Sequence, residues 1–246
     1  MACVTLTTDF GTCDGYVGAM KGVILQRCPG VQLVDITHAI PRHDLAHAAF
    51  VVREVASSFA PGTIHVVVVD PGVGSERKAV IVSAQGQCFI GPDNGVFELV
   101  APAGSQAHAI VDPRFTAAEV STTFHGRDIF APAAGALASG LPMSAAGPAL
   151  RLTAGGAGQL GPCVVHVDGF GNLVTNVRPG DLGQGFVIAG HRFPKLHGTY
   201  ADVAVGQLLA YVGSSGTVEV AVREGSASKH LGVGRGAQIE VERAHE

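Results

Sequence analysis

The sequence predicts an α/β N-terminal domain with a central, mostly parallel sheet, followed by a small C-terminal antiparallel β-barrel domain. Three observations carry this. Strand-like and helix-like segments alternate over the first 150 residues, the run Val66 to Val69 is apolar enough to be buried on both faces, and helical periodicity becomes scarce after residue 162.

Val4 to Thr7 is a short β-branched run that ends in TTDFGTCDG, a Gly- and Asp-rich turn, and Tyr16 to Cys28 then has helical spacing and stops at Pro29-Gly30. Gln32 to Asp35 reads as the next strand. Asp44 to Ala60 reads as a helix with Leu45, Ala49, Val52 and Ala56 on one face, closed by Pro61-Gly62 before the buried strand Thr63 to Val69. Lys78 to Ser83 and Gln87 to Ile90 form a hairpin pattern, and Arg127 to Leu141 a helix ended by Gly140 and Pro142. The first domain is therefore expected over residues 1–150. The Gly- and Ala-rich segment 151–162 suits a linker. In 163–246, strands are expected at Cys163 to Val167, Leu173 to Val177, Gly185 to Ile188, Leu208 to Val212, Thr217 to Val222 and Ala237 to Val241, with Gly turns between them.

Composition narrows the function. The 246 residues are 47% hydrophobic and 15% charged, with a formal net charge of -4 and no run of like charge. A broad surface for nucleic acid or anionic lipid is not expected, and a small-molecule partner fits better. No apolar stretch approaches the roughly 20 residues that span a membrane, and the N-terminus lacks the basic start of a signal peptide, so a cytoplasmic protein is expected. Cys3, Cys13, Cys28, Cys88 and Cys163 are scattered, with no CxxC, and read as reduced and mostly buried thiols.

Five segments carry possible chemistry. Asp9 and Asp14 leave the first strand, where open α/β sheets place ligands. They suit divalent metal, sugar hydroxyls or plain turn capping. In DITHAIPRHDLAH, His43 and His47 stand four apart as zinc ligands would, yet no third ligand follows and the Glu of HExxH is missing. Asp44 as a helix cap, with solvated histidines, is the preferred reading. VVVVDPGVGSERKAV delivers Asp70 into a turn with Arg77 seven residues on, close enough to pair. FHGRDIFAP puts His125 and Arg127 just before a helix, and VDGFGNLVTN puts Asp168, Phe170 and Asn172 on a turn between strands.

In this order, TTDFGTCDGYVGAMKG, DPGVGSERKAV, GPDNGVF, FHGRDIFAP, VDGFGNLVTN and VREGSA resemble the S-adenosyl-L-methionine hydrolase family (S-adenosyl-L-methionine hydroxide adenosyltransferases), relatives of the fluorinase and chlorinase. The resemblance implies an α/β domain joined to a β-barrel, a homotrimer, and a substrate held where one subunit's N-domain meets a neighbour's C-domain. It implies that Asp9 holds the ribose hydroxyls, and that Asp14, Tyr16, Asp168 and Asn172 help hold the methionyl or ribosyl part. Phe170 would pack near adenine, with Ser215, Arg223 and Gly225 around the purine edge. Asp70, Arg77 and His125 match the set that marks the hydrolase branch. The halogenating branch has tyrosines where Asp70 and His125 stand, and the fluorinase has a serine where Gly126 stands. The implied reaction converts S-adenosyl-L-methionine and water to adenosine and L-methionine, without metal or other cofactor. Halogenation on the same scaffold, a metal-dependent phosphoesterase, and a silent protein that binds S-adenosyl-L-methionine or adenosine are the alternatives.

Overall fold

The structure, a computed structural model, describes residues 2–101, 105–153 and 160–242. It divides into two compact units, residues 1–158 and 159–246.

In the first unit the elements follow in the order β1 (Cys3–Thr8), α1 (Tyr16–Arg27), β2 (Gln32–Thr37), α2 (Leu45–Ala56), β3 (Ile64–Val68), β4 (Ala79–Ala84), β5 (Gln87–Pro92), β6 (Gln106–Ala109), α3 (Ala131–Ala138) and β7 (Ala149–Leu150). Seven strands form one sheet in the order β2-β1-β3-β5-β4-β6-β7. Pairing is parallel across β2-β1-β3-β5 and antiparallel from β5 through β4 and β6 to β7. The β4–β5 hairpin matches the sequence expectation.

The period-2 alternation of strand side chains explains why β3 sits in the middle. Ile64, Val66 and Val68 join a cluster with Met20 and Ile24 of α1 and Ala131, Ala133 and Ala134 of α3. Val67 and the following Val69 enter a second cluster, with Ala48 and Val52 of α2 and Phe89. Both faces of β3 are thereby covered by helices, which is what its unbroken apolar run requires.

Two helices differ from expectation. The Asp44 to Ala60 segment is helical only over Leu45–Ala56, and Ser57 to Phe59 turn away. The Arg127 to Leu141 segment begins as a wide π-helical turn, Gly126–Phe130, and becomes α-helical only at Ala131. Pro132 has no N–H to give the Asp128 carbonyl, so the ladder widens there. Ala131 N–H reaches back to the Gly126 carbonyl, and the Asp128 carbonyl accepts from Ala117 N–H at 2.7 Å.

The second unit contains β8 (Val164–Val167), β9 (Leu173–Thr175), β10 (Gly185–Ile188), β11 (His191–Phe193), β12 (Leu208–Val212), β13 (Val218–Val222), α4 (Ala227–Leu231) and β14 (Ile239–Glu242). In place of the expected barrel stand two antiparallel sheets, β12-β13-β9-β8 and β11-β10-β14, around one core that includes Val164, Leu173, Phe186, Ile188, Val220 and Ile239. The sheets do not close among the described residues. Residues 162–164 meet 236–239 through one bridge, Cys163 to Gln238, before β14 turns to pair with β10. Of the expected linker, residues 154–159 lie outside the described residues, and Thr153 is held by the Asp93 carboxylate at 2.7 and 3.0 Å.

Further corrections concern cysteines and histidines. All five cysteines are free, but only Cys163 is buried, and Cys13 is exposed. His38 and His47 are buried rather than solvated. Asp44 does cap α2, accepting from His47 N–H at 2.9 Å, while His43 lies before the helix at φ 65° and shares no face with His47. Among the described residues no group of three or more metal-ligating side chains occurs, and no helix is long and apolar enough to cross a membrane.

His65 of β3 is buried against Phe89, stacked at 4.9 Å, and its Nδ1 lies 2.8 Å from the Thr5 hydroxyl. Burial pushes its pKa down to about 4. The folded chain keeps this imidazole neutral where the unfolded chain protonates it, so its stabilisation is complete above about pH 6.5 and is lost as pH falls toward 4. Urea unfolding at pH 7.5 and pH 4.5 should show the parent losing about 2–3 kcal/mol more than a His65→Gln variant. Equal losses in the two proteins would contradict this account.

Candidate functional site

The parallel register sets Thr8 of β1 beside Val68 of β3. The chain therefore leaves both strands at one edge, and Asp9 and Asp70 follow there, one and two residues past that pair, at the carboxyl ends of the strands. The loops that follow carry the polar groups.

Asp70 and Arg77 are joined as a two-pronged pair. Arg77 Nε donates to Asp70 Oδ1 at 2.9 Å, and Nη2 donates to Oδ2. Nη2 also donates to His125 Nδ1 at 2.6 Å. A guanidinium has no acceptor, so His125 Nδ1 must carry a lone pair, and the imidazole in this contact is neutral. Consistently, the His125 pKa is lowered, first by burial and then by the Arg77 charge, against the opposing pull of Asp70 and Asp128. The Arg77 and Asp70 side chains retain only 10% and 5% of their surface exposed, so little water screens the pair. Arg77 also lies over the Phe130 ring at 5.4 Å.

Two loops are built to bring these groups together. Residues 70 to 77 turn sharply at Gly74, whose φ is +77° and whose position would set a Cβ 2.5 Å from the Thr122 carbonyl. Only glycine lets this loop approach the segment that carries His125. The GPDNG segment after β5 braces both ends of the same loop. Asn94 Nδ2 donates to the Val69 carbonyl at 2.9 Å, and Asp93 N–H donates to the Lys78 carbonyl at 2.8 Å.

Phe10, Tyr16 and Phe124 form an edge-to-face trio with centroid distances of 5.9, 6.1 and 5.2 Å. It ties the Asp9–Asp14 loop to the His125 loop. Tyr16 remains 49% exposed. Gly126 lies against the trio, where a Cβ would meet Met20 Sδ at 3.1 Å and the Phe124 and Phe10 rings at 3.3 and 3.4 Å. Asp9 accepts from His43 N–H at 3.0 Å, which draws the loop before α2 toward it. Asp14 is exposed and does not cap α1, whose N-terminal Gly15 makes no side-chain cap.

In the second unit, Asp168, Phe170 and Asn172 occupy the β8–β9 turn as expected. Asp168 Oδ1 accepts from the backbone of Phe170 and Asn172 at 2.9 and 2.8 Å. Phe170 is 82% exposed. An open cavity of about 800 Å³ is lined by Phe170, Asn172, Tyr200, Val222, Arg223 and Gly225 among others. Four of the residues implied by the resemblance therefore share it. Ser215 does not line it; it sits in the β12–β13 turn, 2.8 Å from the Thr217 hydroxyl.

Several neighbours escaped the sequence reading: Asn94, Phe10 and Phe124 in the first unit, and Tyr200 in the second. The first three stood inside quoted motifs and could have been weighed there. Tyr200, in TYADV, carried no motif signal.

An α/β unit with a charged constellation at the carboxyl edge of its parallel strands, followed by a β unit with an aromatic-lined cavity, defines a two-unit protein that binds a small molecule. Family comparison identifies which one. Residues 4–147 match the SAM hydroxide adenosyltransferase N-terminal domain and residues 162–240 the C-terminal domain, and the chain belongs to this family. It is 39% identical to a Thermus thermophilus protein named (R)-S-adenosyl-L-methionine hydrolase, over 96% of this chain and 98% of that one. It is 24% identical to a fluorinase of Actinopolyspora mzabensis, over 98% and 97% of the two chains. Among solved structures, an uncharacterized conserved protein from Thermotoga maritima superposes with a TM-score of 0.86 at 32% identity, covering 99% of this chain and all of that one.

Replacing Arg77 with glutamine removes the charge that depresses His125. The imidazole pKa should then rise, which an NMR titration of the His125 ring protons would detect. An unchanged or lower value would show that Arg77 does not set the histidine's charge state.

Proposed function

We infer that this chain is an enzyme that hydrolyses S-adenosyl-L-methionine to adenosine and L-methionine, by attack of water or hydroxide on C5′. The single observation that carries the reading is the contact of Asp70 and His125, from two different loops, with the one guanidinium of Arg77.

The leaving group is a sulfonium, which departs as a neutral thioether and needs no general acid. Charge is neutralised as hydroxide approaches the sulfonium, so a dry site strengthens their attraction. The side chains here suit positioning. His125 Nδ1 has its lone pair spent on Arg77, whereas the Asp70 carboxylate, with about four acceptor sites, keeps capacity for a water proton. Asp70 is therefore the acceptor that aims the nucleophile, Arg77 holds the carboxylate and tunes the local charge, and His125 braces the guanidinium. Alignment of this kind is worth several kcal/mol.

On the same reading, Asp9 holds the ribose hydroxyls. Asp14, Tyr16, Asp168 and Asn172 contact the methionyl or ribosyl part, and Phe170, Ser215, Arg223 and Gly225 the adenine. The name of the Thermus relative specifies the (R) sulfonium, and we extend that preference to this chain. Exposed Tyr16 and Phe170 support a complete site made only when copies associate, as a homotrimer in the cytoplasm, with no metal or cofactor. The domain limits that go with this reading are 1–150 and 163–246, joined by 151–162.

Chromatography after incubation with each sulfonium epimer should show adenosine and methionine, faster from the (R) form. Accumulation of 5′-chloro-5′-deoxyadenosine in chloride would instead assign the halogenase chemistry of the distant fluorinase relatives. Asp70→Ala and His125→Ala should each lower kcat by roughly 10²-fold with little change in affinity, the first through loss of the acceptor for the water proton and the second through loss of the brace that aligns it. Near-normal turnover in both would remove them from the reaction. Asp9→Ala should weaken ligand binding instead, read by calorimetry with adenosine, because ribose hydroxyls lose a charged acceptor.

A further inference from the structure

Behind the cavity of the second unit runs a chain of hydrogen bonds. Asn172 Nδ2 donates to Asp168 Oδ2 at 2.8 Å and to the Tyr200 hydroxyl at 3.3 Å. The Tyr200 and Tyr211 hydroxyls are 2.6 Å apart, and the Tyr211 hydroxyl donates to Glu219 Oε2 at 2.5 Å. Tyr211 and Glu219 face one another as a cross-strand pair of β12 and β13.

Donor counting gives this chain one direction. A carboxylate only accepts, so Tyr211 spends its single proton on Glu219. Tyr200 must then donate to the Tyr211 oxygen, and its own oxygen is left to accept from Asn172. Both amide protons of Asn172 are thereby used inside the protein, on Asp168 and Tyr200. What Asn172 can offer a ligand is its carbonyl oxygen, held in a fixed orientation. Tyr211 is buried, and burial together with Glu219 raises its pKa, so it stays a donor at any ordinary pH.

We propose that Tyr211 and Glu219 are positioning residues that act through Tyr200 to fix the Asn172 amide as an acceptor toward the ligand in this cavity. Neither lines the cavity. The proposal rests on the reading that adenosine, the product, binds there. Removing the Tyr211 hydroxyl frees the Tyr200 proton to turn and leaves Asp168 as the one directed partner of the amide, which loosens it at the cost of ligand affinity rather than of the chemical step.

The test uses the full chain, with adenosine as probe in calorimetry and S-adenosyl-L-methionine in turnover. Tyr211→Phe, which keeps the ring, should weaken adenosine binding by about 3- to 10-fold, the loss of roughly one hydrogen bond, with kcat within about twofold of the parent. Tyr200→Phe breaks the chain from its other end and should weaken adenosine binding at least as much. Glu219→Gln retains an acceptor for Tyr211 and should bind nearly as the parent does, whereas Glu219→Leu should behave like Tyr211→Phe. A merely structural role would move thermal stability and kcat together and would not distinguish glutamine from leucine. Parent-like affinity in Tyr211→Phe and Tyr200→Phe, or equal damage from Glu219→Gln and Glu219→Leu, overturns the proposal. A parent chain that binds no adenosine and turns over no substrate overturns the functional reading, and the proposal with it.

Discussion

One guanidinium organises the first unit's site. Arg77 reaches a carboxylate seven residues earlier and an imidazole nearly fifty residues later, and its pair with the carboxylate is nearly dry. In such surroundings a cation and an anion are costly apart and stable together, so each member enforces the position of the others. The features around it follow from that demand. β3 must end where it does to present Asp70, Gly74 must be free of a side chain, and Asn94 with Asp93 must grip the loop at both ends. The π-helical turn after His125 serves the same end by keeping Phe130 under the guanidinium while the helix starts late.

The second unit solves its problem without a cation. Behind Asn172 its donors and acceptors are matched in sequence, from an amide through two phenols to a carboxylate. Such a chain cannot be reversed at one member without leaving another unsatisfied, which confers orientation at small electrostatic cost. The two units thus represent two ways to fix polar atoms: charge paired away from water, and donor arithmetic along a partly buried line.

Much of this was legible along the chain. The first unit's helices and its strands β1 to β5, the β4–β5 hairpin, the Asp44 cap, the Asp168–Asn172 turn and the Asp70–Arg77 pairing all arise from interactions within a few residues or from an apolar period. What was misread depended on distance. Nothing local in DITHAIPRHDLAH says that His38 and His47 are buried, since that follows from packing against other elements. The late start of α3 begins locally, at Pro132, but it is tolerated because Ala117, outside the helix, takes the freed Asp128 carbonyl. The barrel was expected from strand count, whereas the open edges depend on where β14 leaves one partner for another.

By itself the sequence determined the first unit's three helices and its strands β1 to β5, their apolar faces, and, through ordered motifs, which family the chain joins, because each of those is written in short-range pattern and residue identity. The short strands β6, β7 and β11 and the short helix α4 carried no such pattern. Only the tertiary structure decided that His125 accepts from Arg77 and is therefore neutral, that Tyr200 shares a cavity with Phe170 and Asn172, and that Tyr211 and Glu219 stand behind it. Those facts depend on the spatial register of strands and loops separated by many residues, and on a count of protons that no linear spacing contains.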